Sequence, residues 1–177
     1  RPLGLRLPVV LNLDHGLHFE AVVRALRLGF SSVMFDGSTL SYEENIRQTR
    51  EVVKMCHAVG VSVEAELGAV GGDEGGALYG HADEAFFTDP QLAREFVDLT
   101  GIDALAVAIG NAHGKYKGEP KLDFPRLDAI RRQTGLPLVL HGGSGISDTD
   151  FRRAIELGIH KINFYTGMSQ AALAAVE

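Results

Sequence analysis

The sequence predicts an α/β fold of repeated strand–helix units, and more narrowly a TIM (β/α)8 barrel with about six of its eight βα units present. Three observations carry that prediction. Short apolar runs alternate with longer amphipathic ones along all 177 residues, with no linker or composition shift, so residues 1–177 read as a single domain. Strand starts recur every roughly 31 residues, and eight such units would take about 245, close to the usual barrel length of about 250. No GxGxxG follows the first strand and no GxxxxGK[ST] occurs, which removes the main nucleotide signatures of the open, doubly wound alternative.

Taken in order, residues 8–13 are an apolar run too short for a helix and read as the first strand, followed by a helix over 19–28 that Gly29 ends. A strand at 32–35 leads to a helix over 42–58, started by Ser41 with Glu43 and Glu44 in its first turn and stopped at Gly60. The strand at 61–67 opens into a long glycine-rich loop over 68–88. Thr88, ahead of Asp89 and Pro90, marks the start of a helix over 89–100, which Gly101 closes. Strands at 104–109, 136–141 and 161–164 alternate with helices over 124–134, 148–157 and 168–176; Ser147 starts the second of these, and Gly135 and Gly158 are stops. Most of the strands are apolar throughout, as in parallel sheets covered on both faces.

Composition narrows the function. The chain carries 17 Lys plus Arg against 23 Asp plus Glu, a net charge of −6, and so offers no basic footprint for nucleic acid or an anionic membrane. No apolar run approaches the roughly 20 residues of a membrane span. The single cysteine, Cys56, cannot form an internal disulfide and has no CxxC or Cys/His cluster near it. A cytoplasmic protein is expected.

Polar residues that are expensive to bury fall where each strand hands over to its loop: Asp14 and His15, Asp36, Glu64 and Glu66, Asn111 and His113, His141, then Asn163 and Thr166. In a (β/α)8 barrel these ends share one rim, where active sites sit. Three are histidines from three strands, and zinc in catalytic sites commonly takes three protein ligands with one position open. No HExxH is present, so this inference depends on the barrel bringing His15, His113 and His141 together. His18, His57, His81 and His160 read as structural or solvated. The run from His141 through Gly142, Gly143, Ser144 and Gly145 into a helix, with Asn163 to Thr166 after the next strand, suits phosphate bound by backbone N–H groups and a helix N-terminus; a tight turn that needs glycine is the alternative. A GxSxG nucleophile elbow fails at Ile146. Asp14 adjoins a candidate metal ligand and could shuttle protons. Glu64 and Glu66 share one strand face, and Asp73 and Glu74 lie on the long loop, where a base and a solvated acidic loop are equally good readings.

The segments LNLDHG (11–16), FDGS (35–38), SVEAELGAVGG (62–72), ALAVAIGNAHG (104–114), LPLVLHGGSGI (136–146) and KINFYTG (161–167) together resemble the class II, zinc-dependent ketose-bisphosphate aldolases, of the fructose- and tagatose-bisphosphate type. The resemblance implies that His15, His113 and His141 bind catalytic Zn2+, that Asp14 is the proton donor, and that Asp36 and Glu66 belong to a second or alternative metal site. It implies that Glu74 is the base on a mobile loop, and that Gly114, Gly142, Gly143, Ser144, Asn163 and Thr166 hold the substrate phosphate, with a monovalent cation nearby. The reaction implied is reversible cleavage of a phosphorylated ketose into dihydroxyacetone phosphate and an aldehyde through a zinc-stabilised enediolate, without a Schiff-base lysine, in carbohydrate metabolism such as glycolysis. Homo-oligomers, dimers or tetramers, are implied as well. Gly167 stands where many relatives carry an acid, and Asn111 where threonine is common. The family has two further strands before residue 8 and more helix after residue 177, so missing chain or a partner is expected to complete the barrel. A metal-dependent hydrolase on the same rim and a non-catalytic aldolase-like subunit are the rival readings.

Overall fold

The structure, a computed structural model, describes residues 7–71, 84–116 and 118–176. Its elements are β1 (Asn12–Gly16), α1 (Phe19–Arg27), β2 (Ser32–Phe35), α2 (Tyr42–His57), β3 (Ser62–Leu67), a 3-10 turn (Glu84–Phe86), α3 (Pro90–Thr100), β4 (Ala104–Val107), α4 (Phe124–Thr134), β5 (Leu138–Leu140), α5 (Asp148–Glu156), β6 (Ile159–Ile162) and α6 (Thr166–Ala174). The six strands are parallel and lie in sequence order, each beside its successor. A doubly wound sheet reverses its strand order at a switch point. Sequential order without reversal is how a barrel grows.

Helix boundaries follow local chemistry. Ser41 caps α2 by accepting from Glu44 N, Asp123 caps α4 by accepting from Arg126 N, and Ser147 caps α5 by accepting from Asp150 N. At α3 the cap is Asp89, which accepts from Gln91 N and Leu92 N, with Pro90 in the first turn. Gly101 and Gly135 end their helices with φ of 71° and 64°, a conformation that costs glycine nothing.

Two strands are shifted from the sequence expectation, while β3, β4 and β5 fall inside the expected 61–67, 104–109 and 136–141 but are shorter. The first begins at Asn12, not residue 8, because its ladder with β2 starts at the pair Asn12↔Ser32; Val9, Val10 and Leu11 precede the ladder and are exposed. The last runs Ile159–Ile162, two residues earlier than 161–164, because Leu138 of β5 pairs with Ile159. Hydrophobicity alone placed the first strand on the apolar run and missed the polar segment that pairs.

Alternation along the strands separates two faces. Val33, Phe35, Val63, Ala65, Leu105, Val107, Leu138 and Leu140 point outward into one buried cluster with Val22, Val52, Phe96, Leu127 and Ala154 from the surrounding helices. Met34, Ala106 and Val139 form a small separate cluster on the other face. The same face carries Glu64 and Glu66, one residue out of phase with Val63 and Ala65. Side chains of this inner face meet across the sheet: Glu64 of β3 reaches Lys161 of β6, and the loop after β6 reaches β1 through Asn163 and Asp14. Strands that are not neighbours touch only if the sheet curls on itself. The result is a parallel six-stranded half-barrel with helices outside and a narrow, partly polar interior.

Candidate metal and anion site

The inner face and the rim above it gather the three histidines. β1 takes one more residue than β2 between the pairs Leu13↔Val33 and Gly16↔Phe35, which is a β-bulge, and within it His15 has φ 45°, the one positive value on a non-glycine among the described residues. The bulge turns the imidazole inward. His141 follows β5 directly and is fully buried, its main-chain carbonyl accepting from Asn111 Nδ2 at 3.2 Å. His113 is placed by the loop after β4, whose backbone meets that after β3: His113 N–H donates to the Gly71 carbonyl, and Gly71 bridges Ala112.

The ring centroids of His15, His113 and His141 lie 4.7 to 5.5 Å apart. One nitrogen from each falls within 4.8 Å of the others, and a second group of the same compactness joins His15, Asp36 and Glu66. His15 Nδ1 lies 2.7 Å from Asp36 Oδ2, while its Nε2 lies 2.9 Å from His141 Nδ1. Asp36 is held in turn by Ser38, whose backbone N–H and hydroxyl both donate to Oδ1.

The electrostatics of the cluster suit a cation. Burial alone would lower the His15 pKa, yet the hydrogen bond to Asp36 and the charges of Glu66, Asp14 and Asp36 outweigh it and raise the value to about 9. Burial raises the Asp36 carboxyl, but its bonds to His15 and Ser38 prevail and hold it at about 2. Burial, then the Asp36 charge, pushes Glu66 up to about 8. Glu66 Oε2 is buried and has no hydrogen-bond partner among the described residues. His113 is lowered to about 4, first by burial and then by the neighbouring His141 and His15, so its ring is neutral and ready to ligate. Three imidazoles converging beside an orphaned carboxylate oxygen fit a divalent metal.

A cavity of about 390 Å³ adjoins the histidines and is lined in part by Asp14, Gly114, Gly142, Ser144, Asn163 and Thr166. Asn163 Nδ2 donates to Asp14 Oδ1 at 2.8 Å. Ser144 Oγ accepts from Gly167 N–H at 2.9 Å, which ties the loop after β5 to the start of α6. The N-cap residue Tyr165 makes no side-chain hydrogen bond to α6, so beyond Gly167 the first turn leaves backbone N–H groups beside this cavity. Gly142 has φ 65°, and a Cβ there would run into the Ala112 carbonyl. Gly143 does not line the cavity: its N–H donates to the Asn163 carbonyl at 2.9 Å. Glu74, with Asp73 and His81, lies outside the described residues.

Sequence reasoning passed over two residues here. Lys161 and its contact to Glu64 were invisible because the pairing depends on sheet curl, which no local pattern encodes. Tyr116 bridges two site loops, its hydroxyl accepting from Ala112 N–H and donating to the Gly142 carbonyl, both at 2.9 Å. A tyrosine in a polar loop gives no signal of that duty.

Among the described residues, no helix is long and apolar enough to cross a membrane. Comparison with known proteins matches residues 4–177 to the family model described as fructose-bisphosphate aldolase class-II. A fructose-bisphosphate aldolase of Staphylococcus aureus is 49% identical over 175 residues, covering 99% of this chain and 60% of the relative. The crystal structure of the YdjI aldolase from Escherichia coli K12 is similar with TM-score 0.84 and 46% identity, over 97% of this chain and 59% of that one. A putative fructose-1,6-bisphosphate aldolase from Coccidioides immitis is similar with TM-score 0.80 and 41% identity, over 89% of this chain and 56% of that one. The chain thus spans about three fifths of the length of the relatives it matches.

Proposed function

The chain belongs to the class-II fructose-bisphosphate aldolase family, and on that premise we propose that it carries the metal and phosphate halves of an aldolase site that cleaves a phosphorylated ketose into dihydroxyacetone phosphate and an aldehyde. The observation that carries this reading is the convergence of His15, His113 and His141 on one point, beside the cavity that Asp14 and the two glycine-bearing loops line. The three histidines would hold Zn2+, with Asp36 and Glu66 as a second position that shares His15. When bound, such a cation supplies Lewis acidity toward a ketone and its neighbouring hydroxyl.

The chain's own residues do the rest. Gly114, Gly142, Ser144, Asn163 and Thr166 surround the phosphate end of the substrate, where the N-terminus of α6 favours an anion. Gly143 contributes by joining the two phosphate loops through Asn163. Asp14 opens into the same cavity and takes the C4 hydroxyl proton as the C3–C4 bond breaks, returning it on condensation. Asn163, by donating to one Asp14 oxygen, aims the carboxylate and leaves the other oxygen for substrate. Glu74 is the proposed base for the dihydroxyacetone phosphate carbon. A complete eight-stranded barrel, a homo-oligomer, a monovalent cation near the phosphate and a cytoplasmic location belong to the same proposal.

Metal content and solvent exchange test it together. About one zinc per chain, with chelator-sensitive exchange of a dihydroxyacetone phosphate C–H proton for deuterium, is the expected result. Zinc without exchange favours the hydrolase, and neither favours a non-catalytic subunit.

A further inference from the structure

Lys161 lies on the inner face of β6, in register with Val139 of β5, which pairs with Ala106 of β4, itself the partner of Glu66 on β3. From there its Nζ reaches Glu64 Oε2 at 2.7 Å, across two intervening strands. The passage is open because the inner face of β4 carries only Ala104 and Ala106. Glu64 is 3% exposed and uses both oxygens: Oε2 accepts from Lys161, and Oε1 faces His141 Nε2 at 2.9 Å. A carboxylate partner makes Nε2 the protonated nitrogen of His141, which leaves the Nδ1 lone pair facing His15 and the centre of the triad. The main-chain side of His141 is fixed independently by Asn111. Asn163 Nδ2 lies farther from the ring, at 3.4 and 3.5 Å, so the short contact that sets the His141 donor nitrogen is to Glu64, and what holds Glu64 is Lys161. A carboxylate this buried needs a compensating charge, and the only side-chain cation that an ion pair brings to it among the described residues is Lys161.

We propose that Lys161 is a positioning residue of the metal site: gripping Glu64 from across the sheet, it fixes the carboxylate that sets the ring and donor nitrogen of His141, so metal affinity depends on a side chain outside the ligand set. The inference rests on the proposed metal reading and assigns a duty to a residue that lines neither the metal cluster nor the phosphate cavity. A plain cross-strand ion pair would alter stability and leave metal affinity untouched in the folded chain.

The experiment measures zinc affinity of the full chain by competition with a chromophoric chelator, at a temperature where circular dichroism shows each variant folded, alongside the visible absorption of the cobalt-loaded form. Lys161→Met is expected to weaken zinc by about 10- to 100-fold and to alter the cobalt spectrum, whereas Lys161→Arg restores most of the affinity. In a Glu64→Gln background the same Lys161→Met change should add no more than about twofold, since Lys161 acts through Glu64. Lys161→Gln replaces the methionine variant should that one not fold. Zinc bound by Lys161→Met as tightly as by the parent, or an equal loss in both backgrounds, overturns the inference while the metal reading stands. A parent chain that takes up no zinc overturns the metal reading itself, and this inference with it.

Discussion

Through Nδ1 His15 meets Asp36 and through Nε2 it meets His141, and a positive φ is what lets one ring face both. Holding a non-glycine residue there costs on the order of 1–3 kcal/mol, which the surrounding bonds must offset. Its neighbour Asp14 points the other way, into the cavity proposed to take the phosphate, so on that reading adjacent residues serve different halves of the site. Asp14→Ala should therefore leave zinc content unchanged while slowing ketose cleavage by about 10²- to 10⁴-fold; metal analysis and a cleavage assay on one preparation check it, and a normal rate would remove the acid role. The residues at this rim were legible because six strands ended in polar side chains that a buried surface would otherwise exclude. Lys161 was not, since a lysine in a strand is ordinarily a solvated one, and only curvature turns it inward.

Thr88 shows how elements are fastened beneath the rim. Its position before Asp89 and Pro90 suggested the start of a helix, and α3 does begin there, but the cap belongs to Asp89. Thr88, 1% exposed, instead donates its hydroxyl to the Leu67 carbonyl at the end of β3 and accepts from Ala108 N–H just after β4, splicing two strand ends that carry Glu66 and the His113 loop. Thr88→Val keeps the shape and strands both backbone groups in a dry place, so it should lower unfolding stability in urea by about 1–3 kcal/mol. Helices were read to within a residue or two because caps and glycine stops are local chemistry. β1 was not, because its hydrogen-bonded residues, Asn12 to Gly16, are polar and bulged, and pairing to β2 rather than apolarity defines it.

At the scale of the whole molecule, the site's protons report on the fold. His15 rises from an ordinary 6.5 to about 9 and Glu66 from 4.5 to about 8, so through these two groups the folded chain binds more protons than the unfolded one, while His113, lowered to about 4, opposes them chiefly below about 6.5. The stability due to His15 is complete below pH 6.5 and is lost as pH climbs through 9; that due to neutral Glu66 is complete below 4.5 and is lost through 8. Metal-free chain should accordingly melt at a lower temperature at pH 9 than at pH 6, and saturating zinc, which displaces those same protons, should shrink the difference. Thermal scans with and without chelator at both values decide it.

The outer strands of the sheet, β1 and β6, are not paired with each other, yet Asn163 and Asp14 join their rim ends, as His15 and His141 join β1 to β5. The side chains of the candidate site are thus also a drawstring. Whatever tightens them draws in the mouth of the half-barrel, and whatever loosens them lets it splay, so occupancy of this site should be felt as stiffness far from any bound molecule.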